Sequence, residues 1–149
     1  MAKPWDITGD DIQIWSQRVG ASAVLPDLVR RLLLATSPIG TLDMRADGGT
    51  YLGGWDGIVQ TFRSSAFCPR GQSVWEFTVQ GVSKKFNEDF SKRTEEPPSP
   101  IQPAATTYVA VTARRFRDKV QWATDRRALG KWIDVRLLDA DDLAMWLTQ

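Results

Sequence analysis

Two carboxylates, Asp56 and Glu76, are the residues of this chain whose types and positions best suit chemistry. Asp56 stands in a glycine-rich segment, residues 51–57, that leads into a predicted strand, and Glu76 lies inside the clearest predicted strand, residues 73–79. Successive side chains of a strand point to opposite faces, so we expect Glu76 on the face opposite to its two aromatic neighbours. A carboxylate is costly to bury without a positive partner. Glu76 therefore either lies exposed on an open sheet or binds something positive.

Each carboxylate also has an ordinary structural explanation. Asp56 precedes a glycine, which is a common turn dipeptide, and Glu76 could form a salt bridge with Arg45, Arg63 or Lys85. Their occurrence together, before a basic helix and on strands that follow one another, favours a shared metal site, because the carboxylates converge if the strands pair. Carboxylate oxygens are hard ligands, so Mg²⁺ or Mn²⁺ is the expected cofactor.

The composition excludes several kinds of catalytic site. The chain of 149 residues contains no histidine and one cysteine, Cys68. It therefore has no Cys/His zinc site of its own, no Ser-His-Asp or Cys-His nucleophile and no histidine general base. Any catalysis must depend on carboxylates, lysines and hydroxyls, together with a cation bound through oxygen.

The positive charge is concentrated in the second half of the chain. The net charge is +1, but residues 84–136 contain 12 Lys and Arg against 7 Asp and Glu. Such a region could face nucleic acid, or it could be a solvated helix surface or an interface to a neighbouring domain. The candidate nucleic-acid contacts are Lys92, Arg93, Arg114, Arg115 and Lys119.

The motifs around the two carboxylates resemble those of a nuclease superfamily. Trp55-Asp56-Gly57 is followed by Ser73-Val74-Trp75-Glu76 and then by a helix that carries Lys85. An acidic residue on one strand, a Glu on the next, then a helix and further strands resembles the PD-(D/E)XK superfamily, the restriction-endonuclease-like nucleases. Over residues 25–147, the chain is similar to amino-terminal nuclease-like domains of large bacterial proteins, some with NTPase modules, for which a role in phage defence is suspected.

The resemblance implies a metal-dependent DNA endonuclease domain, the effector of a bacterial anti-phage defence protein. Asp56 and Glu76 would be the first and second ligands of Mg²⁺ or Mn²⁺, which would activate a water and neutralise phosphate oxygens. The superfamily has a lysine two residues after the Glu, where this chain has Thr78. Lys84 or Lys85, at the start of the next helix, could supply that ammonium. If neither reaches the site, the chain is a catalytically inactive relative that binds nucleic acid or mediates assembly with a partner module.

The elements that must position these residues form an α/β (α+β) pattern. Two helices come first, then three strands, and then a helix, a strand, a helix, a strand and a last helix. Strands joined by helices predict a central mixed sheet flanked by helices. The predicted strands span residues 41–45, 58–62, 73–79, 106–112 and 132–138. The predicted helices run from Thr8 to Gly20, from Pro26 to Thr36, over 84–93 and 119–128, and from Asp139 or Asp141 onward.

The organisation of the chain points to a single nuclease-like domain over residues 1–149, with a cytoplasmic setting. No apolar run has the length of roughly 20 residues that a membrane helix needs, so we expect no membrane partner. The last predicted helix keeps apolar residues to its end, which suggests the amino-terminal module of a longer protein. Besides DNA, the expected partners are a second copy of the chain or a downstream NTPase or sensor domain.

Overall fold

The computed structural model describes residues 7–44, 55–79, 83–97 and 101–149. These residues form five helices and five strands in the predicted order, with a 3₁₀ turn at Pro103–Ala105 before the fourth strand. The helices are α1 (Gly9–Trp15), α2 (Ala21–Thr36), α3 (Ser83–Glu95), α4 (Lys119–Arg127) and α5 (Ala140–Trp146). The strands are β1 (Ile39–Met44), β2 (Gly57–Thr61), β3 (Gly71–Thr78), β4 (Thr106–Thr112) and β5 (Asp134–Leu138).

The five strands form one mixed sheet in the order β1-β2-β3-β4-β5. β1, β2 and β3 are antiparallel neighbours, whereas β3, β4 and β5 are parallel. Parallel neighbours need a crossover connection, and α3 and α4 supply the two that this sheet requires. The predicted central mixed sheet with flanking helices is therefore confirmed.

Helices cover both faces of the sheet, because the side chains of β3 and β4 alternate between two hydrophobic cores. Trp75 and Val109 belong to a core that includes residues of α1, α2 and α5. Val74 and Tyr108, one position earlier on each strand, belong to a second core that includes residues of α3 and α4. All seven residues of β4 are buried, as expected for a strand in the middle of a sheet that is packed on both sides. None of the described helices is both long and apolar enough to cross a membrane.

Two predicted helix boundaries were wrong near the amino terminus. α1 ends at Trp15 rather than continuing through Val19, whose side chain is fully exposed. α2 begins at Ala21, so Pro26 lies inside this helix and not in its first turn. The chain passes from one helix to the next through Gly20, whose φ of 87° is readily adopted only by glycine. Starting α2 early buries Ala21, which offsets the hydrogen bond that Pro26 cannot donate.

The β3 strand also begins earlier than predicted. The predicted strand starts at residue 73, but Gly71 and Gln72 already pair with β2, and Gln72 pairs with β4 as well. Gly71 has a φ of 81°, so the turn chemistry of a glycine is present at the first residue of the strand itself. The longer strand gives β3 a continuous partner on each side, and this strand carries Glu76.

Candidate functional site

The pairing of β2 with β3 brings Asp56 and Glu76 together. The last pair of this antiparallel ladder is Gly57 opposite Trp75. Just beyond it, the backbone N–H of Asp56 donates to the carbonyl of Trp75 (3.1 Å), and the N–H of Phe77 donates to Asp56 Oδ2 (2.8 Å). The two side chains meet, and their carboxyl groups share a hydrogen bond. The prediction that the two carboxylates converge is therefore confirmed.

Glu76 lies in the interior rather than on an open sheet surface. It is 6% exposed, on the face covered by α3 and α4. Burial, the nearby charge of Asp56 and the hydrogen bond between the two carboxyls raise the pKa of Glu76 from 4.5 to about 9. Arg93 donates from Nε to Glu76 Oε1 (3.0 Å) and acts in the opposite direction, but it does not outweigh burial. A pKa raised this far favours the protonated form of Glu76 at neutral pH.

Arg93 is the positive partner of Glu76, rather than Lys85 or Arg63; Arg45, the third predicted partner, lies outside the described residues. The side chain of Arg93 is 22% exposed. On α3 it follows the buried residues Phe86 and Phe90 at the i+7 and i+3 positions, which places it on the apolar face of the helix. This spacing is a signal in the sequence that sequence reasoning missed: an arginine on the buried stripe of a helix requires an acidic partner in the interior.

The two lysines predicted to replace the motif lysine form ion pairs along α3. Lys84 is 84% exposed at its side chain and lies 3.9 Å from Glu88. Lys85 is 42% exposed, and its Nζ lies 3.4 Å from a carboxylate oxygen of Asp89. Both pairs have the i,i+4 spacing of ordinary helix surface pairs. Thr78, at the motif position itself, is 6% exposed near the end of β3.

Several of the predicted nucleic-acid contacts bind groups of the protein itself. Lys92 is exposed on α3, whereas Arg114 donates from Nε to the carbonyl of Val79 (3.1 Å). Arg115 donates from Nε to Asp141 (3.2 Å), and its side chain also forms an ion pair with Asp10 of α1. Two of these three cations are thus engaged within the protein, which reduces their availability for phosphates.

Lys119 is likewise engaged within the protein, at the start of α5. Its ammonium lies 2.8 Å from a carboxylate oxygen of Asp139 and 2.8 Å from one of Asp142. Asp139 is the N-cap of α5, and it also accepts a hydrogen bond from the N–H of Phe116 (3.1 Å). Although its burial acts in the opposite direction, the hydrogen bonds from Lys119 and Phe116 lower the pKa of Asp139. Lys119 is therefore a structural cation that ties α4 to α5.

A buried aromatic group lies beside the carboxyl pair. The ring of Trp55 is 1% exposed and packs edge-on against Tyr108 and Trp132, with ring centroids 6.0 and 5.8 Å away. Trp55 thus anchors the turn before β2, and its buried ring is not available to stack on a base. Burial, followed by the charge of Glu76, raises the pKa of Tyr108 well above its ordinary value. Trp55 Nε1 and Tyr108 Oη are the buried side-chain polar atoms of the described chain that lack a hydrogen-bond partner.

The carboxyl pair fits the donor set that Mg²⁺ or Mn²⁺ uses. Mg²⁺ is usually held by one or two carboxylates and completes its shell with waters and substrate phosphates. Within the part of the chain that the structure describes, no group of three or more acidic or Cys side chains could enclose a metal ion. Asp56 and Glu76 could therefore hold a hydrated ion on one side and leave its other positions to a substrate. The unpartnered hydroxyl of Tyr108 adds a polar group close to them.

Comparison with known proteins returns no match: no family model matches the sequence, and neither a curated protein nor a solved structure matches the chain.

Proposed function

We propose that the chain is a metal-dependent endonuclease that hydrolyses phosphodiester bonds of DNA, with Asp56 and Glu76 as the metal ligands. One observation carries this proposal: the carboxyl groups of Asp56, just before β2, and of Glu76, on β3, come together beneath α3. Two carboxylates this close repel each other when both are ionised, and the single charge of Arg93 does not outweigh the burial of Glu76. A divalent ion bound through oxygen would let both carboxyl groups ionise.

The two carboxyl groups have separate tasks in this mechanism. The N–H of Phe77 orients Asp56, and Glu76 must release its proton before it can serve as a ligand. A bound Mg²⁺ or Mn²⁺ would neutralise phosphate charge and favour ionisation of a water molecule. In the net reaction the oxygen of one water would bond to phosphorus as the bond from phosphorus to a sugar oxygen breaks. One proton of the water would pass to solvent and the other to the leaving oxygen, so a sugar hydroxyl and a phosphate monoester would result.

The resemblance to PD-(D/E)XK nucleases supports the choice of reaction. It expects an acidic residue on one strand and a Glu on the next, followed by a helix. Asp56 immediately precedes β2, Glu76 lies on β3, and α3 follows. The same resemblance is the basis for proposing a cytoplasmic effector domain in bacterial phage defence, acting with a second copy or with a downstream NTPase or sensor domain.

A catalytically inactive, nucleic-acid-binding or assembly domain is the second candidate function. Thr78 occupies the position of the motif lysine, and the ammonium of Lys85 pairs with Asp89. Without a cation beside the reacting phosphate, an acid pair alone would give little catalysis. In that case charge reversal at the exposed Lys92 would impair function in cells, whereas D56N would not.

Cleavage assays distinguish the two candidates. Supercoiled plasmid and labelled linear DNA, with a labelled RNA beside them, are incubated with the chain in EDTA, Mg²⁺ or Mn²⁺. We expect cleavage of DNA only with metal, and a loss of about a hundredfold or more in D56N and E76Q. D125N is the matched control, because Asp125 is an exposed acid on α4 whose carboxylate accepts a hydrogen bond from Gln121. Salt-sensitive DNA binding without cleavage in any metal would reject the endonuclease and leave the second candidate.

A further inference from the structure

The guanidinium of Arg93 is the positive group that touches the carboxyl pair. Its Nε lies 3.0 Å from Glu76 Oε1, and its Cζ lies 5.7 Å from the centroid of the Trp55 ring. A cation above an aromatic face gains further stabilisation from the ring. Arg93 is therefore held in place by an acid and an aromatic residue, next to the proposed metal ligands, although its side chain retains some contact with solvent.

The lysines of α3 are less well placed than Arg93. The side chains of Lys85 and Arg93 are eight residues apart, which corresponds to about 12 Å along the helix axis. Lys85 pairs with Asp89, halfway between them, and Lys84 pairs with the exposed Glu88. Among the cations of α3 with described contacts, Arg93 is thus the one that contacts Glu76.

We infer that Arg93 is the cationic catalytic residue of this site and contacts the scissile phosphate, a role for which Thr78 offers no cation. This inference rests on the proposed endonuclease function. An arginine fork matches phosphate geometry and donates two parallel hydrogen bonds, which a lysine ammonium does not. The hydrogen bond to Glu76 engages one of the five N–H donors that a guanidinium carries.

The role of Arg93 differs from that of a motif lysine in one respect. A guanidinium does not lose its proton in proteins, so Arg93 cannot be a general base for the attacking water. It stabilises the charge that develops on the phosphate in the transition state. Arg93 is not a ligand of the ion that Asp56 and Glu76 would hold. Its loss should therefore slow catalysis much more than it changes metal affinity.

Substitutions at Arg93 test the inference with two measurements on the full chain. Single-turnover cleavage of a labelled duplex in Mg²⁺ gives the catalytic effect, and titration calorimetry with Mn²⁺ alone, in the absence of DNA, gives the metal affinity. We expect R93Q to cleave about a hundredfold more slowly and to keep an Mn²⁺ affinity within about tenfold of the unmodified chain, because Arg93 does not ligate the ion. R93K keeps the charge but not the fork, so its cleavage rate should lie between those of R93Q and the unmodified chain.

K85Q is the matched control, since Lys85 lies two turns away on the same helix and should leave both values within about threefold. Cleavage by R93Q at the unmodified rate, or an Mn²⁺ affinity of R93Q that falls by as much as its cleavage rate, would overturn the inference while the proposed function stands. A loss of cleavage in K85Q instead of R93Q would assign the role to the lysine. Absence of cleavage by the unmodified chain would overturn the proposed function and this inference with it.

Discussion

Replacing Glu76 with glutamine should make the protein more stable at neutral pH. A Gln side chain keeps both contacts of the protonated acid, since its Oε1 can accept from Arg93 and its amide can donate to Asp56. Holding the proton on Glu76 at pH 7 has a cost, because the unfolded chain would release it near its ordinary pKa of 4.5, whereas the folded chain holds it to about 9. The difference of 2.5 between pH 7 and 4.5 corresponds to about 3 kcal/mol. E76Q should therefore raise the free energy of unfolding by about that amount.

The gain in the free energy of unfolding from E76Q should increase as the pH rises. The folded protein binds a proton that the unfolded chain has lost whenever the pH lies between 4.5 and about 9. Because the folded state then holds more protons, its stability falls as the pH rises through this window, by about 1.4 kcal/mol per pH unit. Below pH 4.5 the folded and the unfolded chain both hold this proton, so Glu76 causes no loss of stability there. E76Q has no such proton, so its advantage should vanish near pH 4.5 and grow steadily to pH 8.

Urea denaturation of both proteins at pH 5, 6, 7 and 8, in EDTA, measures this difference. E88Q serves as the control, because Glu88 is an exposed acid on α3 whose nearest cation, Lys84, is also exposed; it should change stability by less than about 0.5 kcal/mol. An advantage of E76Q that stays constant with pH, or a variant less stable than the parent at pH 8, would show that Glu76 is ionised in the folded state. The assignment of a shared proton to Asp56 and Glu76 would then be wrong.

Three further outcomes follow from the same structure. The affinity for Mn²⁺ should increase by up to about tenfold per pH unit between pH 6 and 8, because Glu76 must lose its proton to bind; calorimetry at both pH values checks this, and D56N should show neither binding nor the pH effect. D139A removes the N-cap of α5 and leaves the ammonium of Lys119 with one carboxylate fewer, so urea denaturation should give a loss of about 2–4 kcal/mol. K119A should lower the thermal midpoint, whereas R117A, at an exposed position on the same segment, should leave it within about a degree; equal midpoints for the two variants would contradict a structural role for Lys119.

The fold was largely predictable because its strands carry strong local signals. The order of elements follows from apolar periodicity, and β4 begins and ends where its run of β-branched residues does, at Thr106–Thr112. The alternation along β3 correctly put Trp75 and Glu76 on opposite faces. The boundaries near α2 were wrong because proline was taken as a helix start, whereas burial of Ala21 extends the helix beyond it.

The partners of the charged residues were less predictable, because they depend on how helices dock. The sequence offers several cations for Glu76, and only the seating of α3 across β3 selects Arg93. Lys119 has the same sequence features as a surface lysine, yet its ammonium donates to Asp139, the N-cap of α5, 20 residues later. The face of the sheet that carries Glu76 is covered because the crossover helices pack on it, and the sequence of β3 alone does not reveal this. Pattern reasoning identified the acids, but tertiary packing decided their environment.

A purely structural role would explain one acid at this site but not both Asp56 and Glu76. Arg93 on the apolar face of α3 needs one buried carboxylate, and Asp56 or Glu76 alone would satisfy it. Burial, and after it the charge of the second acid, raise the pKa of Glu76 and favour its protonated form, which lowers stability at neutral pH. A neutral residue of the same shape would often be more stable in such a place, and groups held at an energetic cost are characteristic of functional sites. A divalent cation is the partner that uses both acids at once, and Arg93 then remains available to a phosphate.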